Sequence, residues 1–207
     1  MQAGRVRSHF NVAYPGIGRF IAAAKVFAKR FGAVPTVSGR LRYLPEIRDP
    51  NPVRASYAAR QAVNSIVQGT AADVIKIAMI LVQRYLLRGM PARLLLQVHD
   101  ELLIEAPEEL AQQLTAKITR IMVEDVPAAL AEVASAPGGL WEAAPAQAAP
   151  AQDGVAAGDS TTACGARRAA ARALLGGSPL LCVPLEVAAE VGSDWGHMTR
   201  VVANAGA

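Results

Sequence analysis

The sequence predicts an α+β fold in which long helices pack against two antiparallel hairpins. Apolar residues recur at three- and four-residue steps over long stretches, which is the pattern of amphipathic helices. Two short strand-like runs each surround a polar turn, which is the pattern of β-hairpins. A third stretch, residues 127–179, is dominated by Ala, Gly and Pro. It is predicted to be a disordered insertion, because it holds too few large side chains to offset the entropy of ordering.

The composition excludes several classes of protein. Two cysteines in 207 residues exclude a disulfide scaffold. The most apolar stretch, residues 74–87, is interrupted by Lys76 and Arg84, so no membrane span is predicted. The first ten residues lack the apolar core of a secretory signal. The net charge of +4 gives a mild preference for polyanionic partners.

Residues 1–126 are predicted to form the main folded domain. A turn at residues 14–16 (YPG) leads into an amphipathic helix that stops at Gly32. The last helix of this domain is predicted over residues 108–124, with its apolar side chains on one face. Between these two helices lie the two hairpins and the central helices.

The first hairpin is predicted over residues 35–47. Ser38 and Gly39 are interpreted as a two-residue turn, because Gly suits tight hairpin turns. The strand alternation then places Arg40 and Arg42 together on one face of the hairpin.

Two consecutive helices are predicted in the centre of the chain. Asn51 is the expected N-cap of the first, with Pro52 in its first position. The first helix should run to Gln68, where Gly69 weakens it. The run at residues 70–73 (TAAD) resembles a capping box, so a second helix is expected to begin at Thr70.

The second hairpin carries the strongest chemical signal in the sequence. Apolar strands at residues 94–98 and 102–105 surround three polar residues, His99, Asp100 and Glu101. Two of the three must occupy the turn, and His and Asp tolerate a positive φ better than most residues. Carboxylates held at such a tip make suitable ligands for Mg²⁺. The alternative interpretation is an ordinary solvated charged turn.

The second signal is a polar stripe on the first central helix. Arg60, Asn64 and Gln68 are four residues apart and therefore share one face. They span about 12 Å, or three to four stacked base pairs. All three can donate hydrogen bonds to the minor-groove acceptors that every base pair carries. The alternative is an ordinary solvated helix face.

Residues 180–207 are predicted to close the fold after the insertion. The runs at residues 182–187 (CVPLEV) and 190–196 (EVGSDWG) return to strand character. Neither a Walker phosphate loop nor a dinucleotide glycine motif occurs in the sequence. His197 is isolated in sequence and is not expected to belong to a metal cluster.

Six segments of the chain become recognisable when they are taken together. They are, in chain order, residues 14–17 (YPGI), 39–45 (GRLRYLP), 60–73 (RQAVNSIVQGTAAD), 97–102 (QVHDEL), 185–187 (LEV) and 192–195 (GSDW). In this order they resemble the C-terminal part of the polymerase module of family A DNA polymerases. The resemblance implies a partial palm subdomain, whose second hairpin carries motif C. Residues 49–54 and 62–68 are most similar to the theta branch, with the nu branch and bacterial polymerase I as relatives.

The resemblance implies a role for each matching residue. Asp100 would be one of two aspartates that bind the catalytic Mg²⁺ ions, and Glu101 would be the adjacent supporting carboxylate. His99 would contact the primer-terminal phosphate or order the turn. The reaction implied is attack of a primer 3′-hydroxyl on the α-phosphate of a dNTP, assisted by two metals. The residues implied to contact primer–template DNA are Arg60, Asn64 and Gln68, with Arg40 and Arg42 on the first hairpin.

The chain also departs from the family pattern. The second metal-binding aspartate, expected in a motif such as Asp-Tyr-Ser-x-x-Glu, does not occur. The fingers helix that grips the nucleotide is also absent, and both elements lie upstream in the family. We therefore expect a fragment that is inactive alone and lacks an upstream polymerase segment. The alternative is a noncatalytic DNA-binding remnant. A theta-like protein would lie in the nucleus, and a bacterial-type enzyme in the cytoplasm or an organelle.

Overall fold

The computed structural model describes residues 2–86, 88–135 and 185–201. These residues form α-helices and three two-stranded antiparallel sheets, which confirms the predicted α+β class. They divide into two compact units. The first unit ends at Thr70, and the second comprises Ala71–Ser135 with the described C-terminal residues.

The chain begins with two helices, α1 (Gln2–Ala13) and α2 (Pro15–Phe31). The predicted stop of α2 is confirmed, because Gly32 adopts the left-handed conformation with φ 66°. Its N–H donates to the carbonyl of Ala28 at 2.8 Å and so satisfies a carbonyl of the last turn. Gly accepts this conformation without the steric penalty that a Cβ would bring.

The first hairpin pairs β1 (Ala33–Pro35) with β2 (Leu41–Tyr43). The predicted two-residue turn at Ser38 and Gly39 is wrong, because five residues, 36–40, connect the strands. The hydroxyls of Thr36 and Ser38 are buried and lie 2.9 Å apart. These side chains bond within the loop, whose first and last residues are joined by the N–H of Thr36 and the carbonyl of Arg40 at 2.8 Å.

A single 35-residue helix, α3 (Pro52–Leu86), follows the hairpin. The predicted N-cap is confirmed, because the Asn51 side chain accepts from the N–H of Val53 at 2.9 Å. The predicted restart at Thr70 is wrong, because its hydroxyl donates back to the carbonyl of Ile66 at 2.6 Å. A Thr hydroxyl used in this way sits inside a helix and does not cap a new one.

The core of the first unit lies between α2, the first hairpin and the N-terminal half of α3. Alanines at several of its positions let helix backbones approach closely. Its buried residues are Ala24, Phe27, Ala28, Val34, Leu44, Ile47, Ala58, Ala62 and Ile66.

The second unit contains the second hairpin and two further helices. Strands β3 (Arg93–Val98) and β4 (Glu101–Glu105) pair antiparallel, with a register shift that leaves Leu95 without an opposite residue. The helices are α4 (Glu108–Arg120) and α5 (Val126–Ser135), joined by a short π-helical segment. The core of this unit consists of Val82, Leu86, Ala92, Leu114 and Ile121, with half-buried hairpin residues packed against them.

Helix α5 corrects the start of the predicted disordered insertion. Disorder is predicted from residue 127, yet helix continues to Ser135. Val126 and Leu130 are fully buried, so this Ala-rich segment does contribute large side chains to packing. Pro127 lacks the N–H that an α-helix would use, and the π-helical segment lies directly before it. Residues 136–184 lie outside the described residues. They include the rest of the predicted insertion, which ends at residue 179.

The C-terminal hairpin also differs in detail from the prediction. Residues 185–188 do not belong to a strand, so the strand predicted over residues 182–187 is wrong at residues 185–187. Residues 182–184 of that prediction lie outside the described residues. Pairing begins at Ala189 and joins β5 (Ala189–Gly192) to β6 (Met198–Val201). A Cβ at Gly192 would lie 2.1 Å from the His197 carbonyl oxygen. The register of this hairpin therefore requires glycine at that position.

By length and composition alone, α3 could cross a membrane, because an 18-residue window has a mean hydropathy of 1.6. One such helix is weak evidence, since a core helix passes the same test. Helix α3 supplies Ala62 and Ile66 to one apolar cluster and Val82 and Leu86 to another.

Gly18 inside α2 and Gly32 directly after it should respond in opposite directions to the same substitution. Gly18→Ala should stabilise the chain by about 0.5–1 kcal/mol, because a Cβ there meets no atom within 4 Å and Ala is the better helix former. Gly32→Ala should destabilise it by about 1–2 kcal/mol, because φ is positive at that position. Urea unfolding midpoints measure both changes. Equal shifts of the same sign would contradict the assignment of the helix end.

Candidate functional site

The tip of the second hairpin is a two-residue turn made by His99 and Asp100. The last strand pair is Val98 with Glu101, so only these two residues remain between the strands. His99 has a φ of 53°, and it is the only non-glycine residue with positive φ in the described chain. This is the first turn position, where tight hairpins often use glycine. The prediction that two of the three polar residues form the turn is therefore confirmed, and the structure selects His99 and Asp100.

Side-chain contacts hold this tip in place. The amide of Gln97 donates a hydrogen bond to the carbonyl oxygen of His99. On the opposite strand, Leu102 and Ile104 pack against the core of the second unit. An exposed ion pair between Arg93 and Glu105, 3.4 Å long, lies at the far end of the hairpin and contributes little.

The carboxylates of this hairpin are open to solvent. Asp100 and Glu101 are exposed and adjacent in the chain, as is the imidazole of His99. Mg²⁺ prefers oxygen ligands and is commonly held by one or two carboxylates, with water and substrate phosphates completing its shell. Asp100 and Glu101 fit that donor set. Among the described residues, no group of three or more His, Cys, Asp or Glu side chains could enclose a metal ion.

The predicted stripe on α3 faces away from the core of the first unit. Arg60, Asn64 and Gln68 are all exposed. Ala62 and Ile66, two residues further along the same turns, are buried. A two-residue step turns about 200° around a helix, so the apolar and polar stripes occupy opposite sides. The predicted sharing of one face is confirmed.

The three side chains of the stripe differ in their intramolecular contacts. Arg60 donates to the hydroxyl of Ser56 at 3.1 Å, and its guanidinium lies 5.7 Å from the centre of the Tyr57 ring. Within the described residues, the amides of Asn64 and Gln68 have no intramolecular hydrogen-bond partner. Two amides at four-residue spacing are thus available to an external ligand.

The two arginines of the first hairpin have different surroundings. Arg40 is half-buried, and its Nη2 donates to the carbonyl of Gly69 at 3.1 Å. Its guanidinium therefore lies beside the residue that follows Gln68. Arg42 is exposed on β2. The structure thus brings Arg40 to the backbone of α3 at Gly69, which the sequence alone does not show.

The two groups of predicted site residues belong to different compact units. The stripe and the first-hairpin arginines lie in the first unit, and the His99–Glu101 tip lies in the second. Residues 1–70 contain 11 Lys and Arg but only two acidic residues, Glu46 and Asp49. Such an excess of positive charge favours an anionic partner for the first unit.

Comparison with known proteins decides the family. A family model described as DNA polymerase family A matches residues 1–142. The chain belongs to DNA polymerase family A. Among its relatives, the DNA polymerase I of Deinococcus radiodurans is 45% identical over 109 residues, covering 53% of this chain and 11% of that protein. The DNA polymerase I of Bacillus caldotenax is 44% identical over 126 residues, covering 60% and 14%.

A solved structure supports the same assignment. The match is titled "POL domain of Pol1 from M. smegmatis complex with DNA primer-template and dNTP", with a TM-score of 0.56 and 36% identity. It covers 58% of this chain and 22% of that one. This family A chain therefore spans only a small part of the relatives it matches. The predicted closeness to the theta and nu branches stays a prediction.

Two features of the family A chain escaped the sequence reasoning. The first is a hydrogen bond of His197, whose Nδ1 lies 2.8 Å from an Asp194 carboxylate oxygen. This bond, with the N–H of Gly196, lowers the pKa of Asp194. The second feature is Thr70, whose hydroxyl also accepts from the N–H of Val37 at 3.1 Å. A three-residue spacing could have indicated the first, but no local signal indicates the second.

The strain at His99 can be measured with two substitutions that both remove the imidazole. His99→Gly should be about 1 kcal/mol more stable than His99→Ala, because only glycine relieves the positive φ. Chemical unfolding of the two variants gives the difference directly. Equal stability of the glycine and alanine variants would show that the turn does not impose this backbone conformation.

Proposed function

We propose that this chain takes part in DNA-directed DNA synthesis, in which it binds primer–template DNA and supplies part of a magnesium site. The observation that carries the proposal is the exposed amide stripe of α3. The solved relative is described in complex with primer–template and dNTP, and the excess of positive charge in residues 1–70 favours a polyanion. The theta-like branch and a nuclear location are the finer parts of the proposal, and they rest on the sequence resemblance.

The stripe suits recognition of base-pair geometry. Purine N3 and pyrimidine O2 are minor-groove acceptors on every Watson–Crick pair. The amide N–H groups of Asn64 and Gln68 can donate to them, and so can the guanidinium of Arg60. Donors that meet only these shared acceptors test whether a pair is well formed without reading its sequence. A polymerase surface beside newly made base pairs needs that property.

The tip of the second hairpin would supply the metal-binding carboxylates. Asp100 and Glu101 would hold Mg²⁺, with His99 beside them at the strained turn. When bound, such ions activate the attacking hydroxyl and stabilise the leaving pyrophosphate. The role of this chain is to hold the carboxylates on a packed hairpin.

A noncatalytic DNA-binding role is the second candidate. It is favoured by one observation: among the described residues, no group of three or more His, Cys, Asp or Glu side chains could hold a metal ion. The sequence also lacks the Asp-Tyr-Ser motif expected to supply the second aspartate. Both candidates require binding of primer–template DNA, and they differ in whether the chain contributes to catalysis within a larger polymerase.

Binding of DNA should depend on the stripe. Asn64→Ala combined with Gln68→Ala should weaken binding of a primer–template duplex about tenfold, because two hydrogen bonds are lost. Fluorescence anisotropy with a labelled duplex measures the change. Gln112→Ala combined with Gln113→Ala is the matched control, since it removes two exposed amides from α4. Equal affinities of the two double variants would argue against the stripe.

Primer extension separates catalysis from binding. The purified 207-residue chain, supplied with Mg²⁺, dNTPs and primer–template, should bind the duplex but add no nucleotide. A gel assay with a labelled primer detects extension. Magnesium-dependent incorporation that Asp100→Asn abolishes would overturn the expected inactivity of the chain alone. If the chain does not bind primer–template at all, both candidate functions fail.

A further inference from the structure

The guanidinium of Arg60 is held by two residues of the preceding helical turn. Its Nη1 donates to the Ser56 hydroxyl at 3.1 Å, and its Cζ lies 5.7 Å from the centre of the Tyr57 ring. Residues three and four apart are neighbours on a helix surface, and helical side chains lean towards the N-terminus. Both contacts therefore follow from the spacing of these residues. We call Ser56 and Tyr57 the arginine support.

Tyr57 lies on the same face of α3 as the amide stripe. It precedes Asn64 by seven residues, and two helical turns take about 7.2 residues, so the two side chains project in nearly the same direction. Tyr57 is 58% exposed, whereas the adjacent Ala58 is fully buried in the core of the first unit. The packing of Ala58 thus fixes the backbone of the turn that carries the arginine support.

The arginine support leaves donors of Arg60 available to a ligand. A guanidinium carries five N–H groups. Among the described residues, the Ser56 hydroxyl accepts from one nitrogen of this group, and the Tyr57 ring attracts the positive charge through its π-face. Arg60 is itself exposed. The two contacts therefore restrict the side chain while they leave N–H groups for an external acceptor.

A restricted arginine has an entropic advantage in binding. Ordering a long side chain at an interface costs rotamer freedom, and arginine has one of the largest such costs. Part of that cost is removed when the free protein already holds the side chain in place. Each contact of the arginine support is weak at an exposed site, but both act on the same guanidinium. Together they favour one arrangement of Arg60 before any ligand binds.

We propose that Ser56 and Tyr57 are positioning residues for DNA binding, which hold the guanidinium of Arg60 ready to donate to the minor groove of primer–template DNA. This inference rests on the proposed function, in which Arg60 belongs to the stripe. Neither Ser56 nor Tyr57 contacts DNA in this account, so both act only through Arg60. A contact that merely stabilises the helix would change the stability of the chain and leave its affinity for DNA unaltered.

Double-mutant cycles test whether the arginine support acts through Arg60. Tyr57→Ala should weaken binding of a labelled primer–template duplex about threefold to tenfold, measured by fluorescence anisotropy. Tyr57→Phe keeps the ring and should bind like the wild type. In the Arg60→Ala background, Tyr57→Ala should cause no further loss, because the side chain that it positions is gone. Ser56→Ala should follow the same pattern, with a loss of about threefold.

Two results of these cycles would overturn the positioning role. The first is an equal loss from Tyr57→Ala with and without Arg60, which would mean that Tyr57 acts on DNA binding by another route. The second is tighter binding by Tyr57→Ala, which would mean that the contacts of the arginine support compete with DNA for Arg60.

Tyr14→Ala is the matched control for Tyr57→Ala. Tyr14 also lies in the first unit and is also 58% exposed, but its ring packs against that of Phe10, with 5.2 Å between centroids. Its replacement should leave the affinity unchanged. A loss equal to that of Tyr57→Ala would show that removing any exposed ring weakens binding, and the positioning role would fail.

Circular dichroism checks that the variants remain folded. Alanine favours a helix more than serine or tyrosine does, so Ser56→Ala and Tyr57→Ala should keep α3 helical. If the wild-type chain binds DNA and both variants keep its affinity, the positioning role fails alone. If the wild-type chain does not bind primer–template, the proposed function fails and the inference with it.

Discussion

The two-sidedness of α3 is the constraint on which the first unit depends. One side of the helix carries Ala62 and Ile66 into the core, and the other exposes Asn64 and Gln68 to solvent. The same rotation per residue that buries the apolar side also fixes the direction of the polar side. Core packing therefore fixes the direction in which the candidate DNA-binding side chains of α3 project.

The conformation of the second hairpin's tip depends on strand pairing and on a strained turn residue. Its strands are held by apolar packing on one face, but its turn uses His99 at a backbone position where glycine is easier. Stored strain of this kind persists only where the surrounding structure maintains it. In this family A chain the paired strands and the Gln97 side chain maintain it. The result is a pair of exposed carboxylates at a turn with a defined conformation.

Sequence reasoning succeeded where local chemistry decides the structure. The N-cap at Asn51, the left-handed stop at Gly32 and the turn at His99 and Asp100 are all local, and all are confirmed. It failed where a distant segment decides. Local propensity marks Gly69 as a weak point of a helix, yet Gly69 is the place where Thr36 approaches α3. The strand predicted at residues 185–187 failed similarly, because pairing with β6 sets the boundary of β5.

The sequence by itself determined the α+β class, the family resemblance, the spacing of the stripe and the three polar residues that include the carboxylate turn. These follow from periodicity and from short motifs, which are properties of neighbouring residues. Only the tertiary structure decided that α3 is one continuous helix and that Arg40 donates to the Gly69 carbonyl. The physical reason is that a hydrogen bond or a close contact between residues about thirty positions apart produces no periodic pattern in the sequence. Such a contact can nevertheless outweigh a local preference that would break the helix.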